Sequence, residues 1–445
     1  MLNNPHRLAW LTLLTSFALF IVVCVGLFSF GRYVLFEWPI NMETTLYVSR
    51  GTAGVLRSND LGERSVRDLS QIDNGDRLST DELAQSVIVF ADPFNPEIVV
   101  ATVQLRANSE VKLNSAHRPR FFGDAPYRIH LSNLQGTLEI FVAGDLDRDV
   151  MLEVNAAGGD IRISTSGLYN ITAQLNQLLI STERGQALVI TKNGGQLVNA
   201  GQEARISPQE HVVNPMATVN LVQNSELAPP PSGAVMPLGW GCGAEAEPGN
   251  DSPVTLGTYG PEHFQGRDTF HIRRISDVQL FPARSFCKQF FTGTPGQQGL
   301  DVSEYDSLRI RVRMYLVQHT LPGCGQLATE CVLMVHLRYR NAADPSLVRD
   351  YYQGFYASPA DGLGWPRKCD SCANDHLHVN AGVWYTFEST DLVQDLPADL
   401  RDLRPIILEF IEFYASGHGY EVYVDEVSLL AQKLDGETTT IQMLD

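Results

Sequence analysis

From Leu8 to Phe30 the chain carries no charged residue, and its polar members Thr12, Thr15, Ser16 and Ser29 are small enough to bond back to a helix backbone. A bilayer core of roughly 30 Å needs about 20 apolar residues at helical rise, so this run predicts one transmembrane helix over 8–30. Past Leu46 the pattern changes to short segments of alternating polarity, broken by Gly, Asn and Asp, which is a β signature. Strands are predicted at 87–93, 97–105, 137–144, 150–156, 160–166, 177–183 and 187–193. Asn74–Gly75, Asn193–Gly194 and Gly158–Gly159 mark turns that need a positive φ. In the second half the strands lengthen. Leu308, Ile310, Val312 and Met314 alternate with Arg309, Arg311 and Arg313, and Leu333, Val335, Leu337 and Tyr339 alternate with His336, Arg338 and Arg340. Further strands are expected at 349–357, 382–389, 404–415 and 419–430. The fold class is therefore mainly β: one N-terminal helix, a first β domain and a C-terminal β-sandwich.

The apolar run is longer than a signal-peptide core of about 7–15 residues and no A-x-A-like site follows it, which favours an uncleaved anchor. Arg7 and Arg32 bracket it, with Trp10, Tyr33 and Trp38 where interfacial aromatics belong. The positive-inside bias then places residues 1–7 in the cytoplasm and everything after Arg32 outside. The lipid bilayer is the partner expected for 8–30.

Composition adds three constraints. The 445 residues leave room for two or three domains, and 44% apolar content is ordinary for folded chains. A net charge of −18 argues against nucleic acid as a partner. Of the seven cysteines, Cys24 lies in the anchor and six lie in the second half: Cys242, Cys287, Cys324, Cys331, Cys369 and Cys372. An even set in one exported domain reads as disulfides. Cys324–Cys331 and Cys369–Cys372 are the short closures, which leaves Cys242–Cys287 by proximity. Cys369-x-x-Cys372 with His376 and His378 also offers zinc-type ligands, but thiols outside the cytoplasm oxidise, which favours the disulfide.

The stretch 45–208 resembles the FecR-type extracytoplasmic domain. The likeness is carried by Gly51 and Gly54 in SRGTAGVL, by LSQIDNGDRLST with Gly75–Asp76, by IVVATVQLRANSEVKL, and by the closing RGQALVITKNGGQLVNAGQEARI with Ala200–Gly201–Gln202. Regulators of that type, as the resemblance implies, meet a sigma factor through a cytoplasmic segment. The inside portion ending at Arg7 is too short to bury an interface of standard size, so a binding or assembly module is expected instead. Gly75–Asp76 itself reads as hairpin chemistry.

A Pro/Gly-rich linker is placed at 209–218. The stretch 219–431 is similar to the jelly rolls of galactose-binding-like and carbohydrate-binding modules, through NLVQNSEL and PLGW at its start and SGHGYEVYVDEVSLL at its end; 432–445 is a polar tail. The resemblance implies glycan binding on an aromatic-bearing face and a structural Ca²⁺ near the paired end strands. Glu226 and Asp425 are the positions that match such a site, although Ca²⁺ takes six to eight oxygens. No other cofactor is expected.

If strands 307–317 and 331–340 pair, Arg309, Arg311, Arg313, His336, Arg338 and Arg340 line one face, with Tyr351, Tyr352 and Trp365 nearby. One reading is a face for an acidic glycan; the other is a solvated, salt-laced face paired with Glu409, Glu412 and Glu421, which the acidic balance favours. A glycosidase would need a carboxylate pair such as Glu409 and Glu412 about 5–5.5 Å apart. An odd separation on one strand points the two to opposite faces. The sequence thus favours a non-enzymatic, membrane-anchored protein whose β domains bind envelope or extracellular ligands such as polysaccharide. The alternative is a structural protein making protein–protein contacts in an envelope complex.

Overall fold

The structure is a computed structural model. It describes residues 5–156, 159–175, 177–192, 194–207, 211–231, 233, 235–246, 254–275, 281–292, 299–396 and 403–433. Gly158 and Asn193 of two predicted turns, 1–4 of the N-terminal segment, 209–210 of the linker and 434–445 of the tail lie outside the described residues.

Pro5–Arg32 is an α-helix and Tyr33–Glu37 continues it as one wider turn. The hydroxyls of Thr12 and Thr15 donate to the carbonyls of Leu8 (3.0 Å) and Leu11 (2.8 Å), so they add no unpaired polar group to the apolar surface. By length and composition His6–Glu37 can cross a membrane.

Pro39–Pro215 forms two sheets that share one strand. Tyr127–Val142 runs in the first sheet through its first half, beside Glu110–Pro119 and Val150–Ala156. Its second half runs in the second sheet, between Val99–Leu105 and Gly167–Gln174. The corner is Gly136, at φ +87°. A Cβ there would lie 2.6 Å from the Asn108 carbonyl oxygen and 2.7 Å from Ser109 Cα, so only glycine lets the strand turn. The pairings close on themselves. Leu46, Val103, Ile129, Leu138, Ile171 and Ile180 are among the buried residues between the two sheets.

From Thr218 onward the strands form a sandwich. One sheet runs Thr258–Phe264, Arg267–Arg274, Tyr420–Gln432, Ser307–His319, Trp384–Glu388, with Thr218–Asn220 added to Tyr420–Gln432. The other runs Gly241–Ala246, Ala283–Phe290, Pro405–Gly417, Leu333–Asn341, Val348–Tyr356, Leu377–His378, with Leu300–Asp301 added to Pro405–Gly417 as the seventh strand. Ile310, Val312 and Met314 of the first sheet pack against a core that holds Val335, Leu337, Ile411 and Phe413 of the second. The mainly β class and the antiparallel sandwich follow from the alternation in the sequence.

One expected pairing does not occur. Ser307–His319 pairs with Tyr420–Gln432, and Leu333–Asn341 pairs with Pro405–Gly417, in a different sheet. Both arginine-bearing strands turn their apolar faces into the same core, so their arginines must point out of opposite sides of the sandwich. The outer face of the Ser307–His319 sheet is then covered by the first β unit. Val87 packs with Val383, Trp384 and Tyr423 in one apolar cluster across the joint, and Asn380 donates to the carbonyls of Val48 (2.8 Å) and Arg67 (3.0 Å).

Candidate functional site

The two groups of arginines meet different fates. Arg313 donates from Nε to Glu139 Oε1 (2.8 Å) and from Nη1 to Glu426 Oε2 (2.6 Å) and Asp425 Oδ2 (3.3 Å). Arg311 binds Glu183 (2.8 Å) and Glu426 (2.8 Å). Arg106 reaches Glu139 (3.1 Å), and Arg267 reaches Asp425 (2.8 Å) while lying 3.8 Å over the Phe141 ring. Thr386 ties the centre together, its hydroxyl donating to Gln104 Oε1 (2.8 Å) or Glu139 Oε1 (3.0 Å). Four guanidiniums thus face four carboxylates across the joint, nearly all excluded from water. Burial alone would push Glu139 up, but Arg313 and Arg106 hold it well below the usual carboxylate range. Arg313 therefore joins the two β units with no open face, and Arg311 joins them at the rim. Arg309 stays half in water, bound to Glu388 (3.2 Å).

The two carboxylates matched to a calcium site each meet arginine. Asp425 is committed to Arg267 and Arg313, which supply the positive charge an ion would bring, and Glu226 binds Arg184 (3.2 Å). Glu226, Arg309 and Arg311 do share the wall of a polar groove of about 780 Å³ at the rim of the joint.

The outer face of the seven-stranded sheet is the open one, and the register sets out its rows. Phe290, Phe410, Arg338 and Asp350 stand side by side across four strands; Lys288, Glu412, His336 and Tyr352 form the next row; Phe286, Tyr414, Met334 and Gly354 the one after. Phe290 is 68% exposed and sets its edge against Phe410, centroids 5.8 Å apart. His336 stacks on Tyr352 at 4.1 Å. Lys288 lies 4.3 Å over the Phe410 ring and Arg338 5.1 Å from its centre.

Glu412 is the hub of this face. Its Oε2 contacts His336 Nδ1 (3.3 Å), and the other face of that imidazole meets Asp350 from Nε2 (2.6 Å), a carboxylate that Arg338 also holds (2.7 Å). Glu412 Oε1 is buried, 3.4 Å from Lys288 and 3.6 Å from Arg284, yet accepts no hydrogen bond. Burial would raise Glu412, but His336, Arg284 and Lys288 outweigh it and hold the carboxyl below its ordinary range. Glu409 sits nearby against Arg340 (2.7 Å). A register shift between Arg338 and Tyr339 skips Glu409 in the ladder, so Glu409 and Glu412 both meet cations of the outer face despite their odd separation.

Of the aromatic candidates, Tyr352 faces outward. Tyr351, its neighbour on the strand, points into the core, where burial raises its phenol well above the ordinary value. Trp365 lies half-buried in the cysteine loop. The sequence reading passed over Phe290, Phe410, Lys288 and Arg284. For Arg284, Lys288 and Phe290 the signal lies in ARSFCKQF, where Arg284, Phe286, Lys288 and Phe290 alternate with Ser285, Cys287 and Gln289, an outward aromatic and cationic stripe.

The cysteines form three disulfides, Cys242–Cys287, Cys324–Cys331 and Cys369–Cys372. The last two flank His376, whose Nδ1 accepts from the Gly354 N–H (3.0 Å) while Nε2 donates to the Ala328 carbonyl (2.9 Å). Cys369–Cys372 is thus a disulfide, and both ring nitrogens of His376 meet backbone groups.

No protein-family model matches the chain, and no curated protein matches it. Among solved structures it is similar to a candidate anti-sigma factor from Parabacteroides distasonis (12% identity, TM-score 0.24), with 31% of this chain and 59% of that one covered. The chain therefore spans less than two thirds of that protein's length. It is also similar to the CBM22-1 xylan-binding domain of Paenibacillus barcinonensis Xyn10C (9% identity, TM-score 0.24; 50% and 99% covered). A third is the family 11 carbohydrate-binding module of Clostridium thermocellum (11% identity, TM-score 0.22; 43% and 88% covered).

Proposed function

We propose that this chain is a membrane-tethered, non-enzymatic binding protein that presents the outer face of its seven-stranded sheet, outside the cytoplasm, to a polysaccharide. The apolar N-terminal helix and the three disulfides support the tether and the oxidising compartment. The observation that carries the ligand reading is the row Phe290, Phe410, Arg338 and Asp350 across this open face, with the Phe290 ring 68% exposed beside cationic side chains. A sugar ring is amphipathic: its C–H face lies flat on an aromatic ring, and its edge hydroxyls donate and accept. Phe290 offers the exposed ring; Lys288 and Arg284, held in place by the buried Glu412, and Arg338 donate to hydroxyl oxygens. Because Arg284, Arg338 and Arg340 already face Glu245, Asp350 and Glu409, the face is balanced in charge and suits a neutral glycan better than an acidic one.

The test is a glycan array probed with the detergent-solubilised full chain, alongside Phe290→Ala and Glu412→Gln. Retention of a neutral oligosaccharide that weakens about tenfold in each variant is the expected result, the loss of a charge-assisted hydrogen bond or a stacking surface being worth about 1.5 kcal/mol. An array on which no sugar is retained, with envelope proteins captured through the same face instead, overturns it in favour of an assembly role.

A further inference from the structure

The first β unit follows the helix without a linker. After the turn Tyr33–Glu37, the Trp38 N–H donates to the Tyr33 carbonyl (2.9 Å), and Pro39–Asn41 immediately pairs with the end of Glu110–Pro119, Pro39 opposite Pro119. The Arg120 N–H then donates to the Trp38 carbonyl (2.9 Å), and Phe122 meets Phe36 with ring centroids 5.0 Å apart. The loop after Pro119 is therefore fixed against the last turn of the helix. That loop carries Arg120–Phe121–Phe122. Phe122 is pinned through its carbonyl by Arg148 (2.7 Å), whereas Phe121 is 57% exposed.

A second loop reaches the same end of the unit. Asp92 accepts from the backbone N–H groups of Phe94 (2.7 Å) and Asn95 (3.0 Å), and it is bound by Arg118 (3.2 Å), the residue opposite Ile40. Arg118 lies 4.7 Å over the ring of Phe94, which is 56% exposed. Phe94 and Phe121 are thus both exposed on loops tied to the segment that leaves the helix, the first through Arg118 opposite Ile40 and the second through Arg120 bonded to Trp38. The helix surface also stays apolar and exposed past Arg32, at Tyr33, Leu35 and Phe36. Isolated exposed phenylalanines are ordinary, but two of them on loops tied to the end of an exposed apolar helix add to its apolar surface.

We infer that Phe94 and Phe121 rest in the interfacial layer of the bilayer that the helix crosses, so that the first β unit sits on the membrane in one fixed orientation. The inference rests on the helix spanning a bilayer and is independent of any glycan. The lipid interface is the occupant because the loop of Phe121 is held to the helix end by Phe36–Phe122 and Arg120–Trp38, and because aromatic side chains settle at the headgroup level, with Arg120 over the Phe121 ring at 5.6 Å.

The experiment uses the full chain with Cys24→Ser, one added cysteine labelled with a polarity-sensitive fluorophore, and nanodiscs of phosphatidylcholine with or without shallow doxyl-labelled lipid. Labels go on Phe94→Cys and Phe121→Cys, on Leu27→Cys as a probe of helix insertion, and on Leu175→Cys as an aqueous control. Leu175 lies in the turn after Gly167–Gln174, at the end of that strand away from the 92–98 loop. At 94 and 121 the expected result is a blue-shifted emission with at least about twofold quenching, and none at 175. Labels at 94 and 121 as unquenched as 175, while 27 is quenched, overturn the inference and leave the anchor standing. An unquenched label at 27 overturns both.

Discussion

Arg313 and Glu139 face each other across the joint between the two β units, Nε to Oε1 2.8 Å, with side chains only 2% and 3% exposed. Neither charge has water to fall back on. Removing one partner leaves the four guanidiniums and four carboxylates one charge out of balance where water cannot reach, and breaking a buried pair in this way typically costs about 3–5 kcal/mol. Arg313→Met alone and Glu139→Leu alone should therefore each destabilise strongly in denaturant titrations of the full chain. The double variant should recover most of the loss, since a hydrophobic pair of similar volume is often as stable as a buried ion pair.

The same joint sets an acid limit. Burial would raise Glu426, but Arg311 and Arg313 hold it at about 2, and Glu139 is depressed in the same way by Arg313 and Arg106. A carboxyl depressed in the folded state contributes stability above its unfolded value near 4.5 and loses it as the pH falls through the folded value. Glu183 opposes this, since burial outweighs Arg311 and raises it. The contribution of Glu139 and Glu426 to the denaturant midpoint should stay level above pH 4.5 and fall between about 4.5 and 2. Glu139→Gln should flatten that slope.

Much of this architecture was legible in the sequence, for a definite reason. The helix and most strands are local patterns: an uncharged apolar run at Leu8–Phe30, and alternation such as Leu308–Met314. What could not be read was which strands share a sheet. Arg311 and Arg338 look alike in alternation, yet one is sealed against Glu183 and the other bridges Asp350 on an open face. That difference is set by partners far along the chain, Glu426 for one and Phe410 for the other. The bulge that brings Glu409 to the side of Glu412 was equally invisible, because period-two counting assumes an unbroken ladder.

Gly136 should tolerate no side chain. Its positive φ and the 2.6 Å approach to the Asn108 carbonyl oxygen combine strain with a backbone clash. Gly136→Ala should destabilise by about 1–3 kcal/mol, whereas Gly62→Ala, with open space around it, should change little. Thermal unfolding of both variants, followed by far-ultraviolet circular dichroism, separates the two.

The three disulfides should contribute unequally, in the order of the loops they close. Cys242–Cys287 spans 45 positions, Cys324–Cys331 spans 7 and Cys369–Cys372 spans 3. Chain-entropy scaling gives about 4, 2.5 and 2 kcal/mol respectively for their removal. Packing adds to the first, because Cys287 is buried in the sandwich core and Cys242 packs against it, so Cys242→Ser with Cys287→Ser also places hydroxyls among apolar side chains. The second and third lie over His376, outside that core. Paired Cys→Ser variants compared by denaturant midpoint should therefore rank with the Cys242–Cys287 pair well below the other two. Equal losses for all three would mean that native-state packing around the sulfurs, and not the entropy of the unfolded chain, decides their worth.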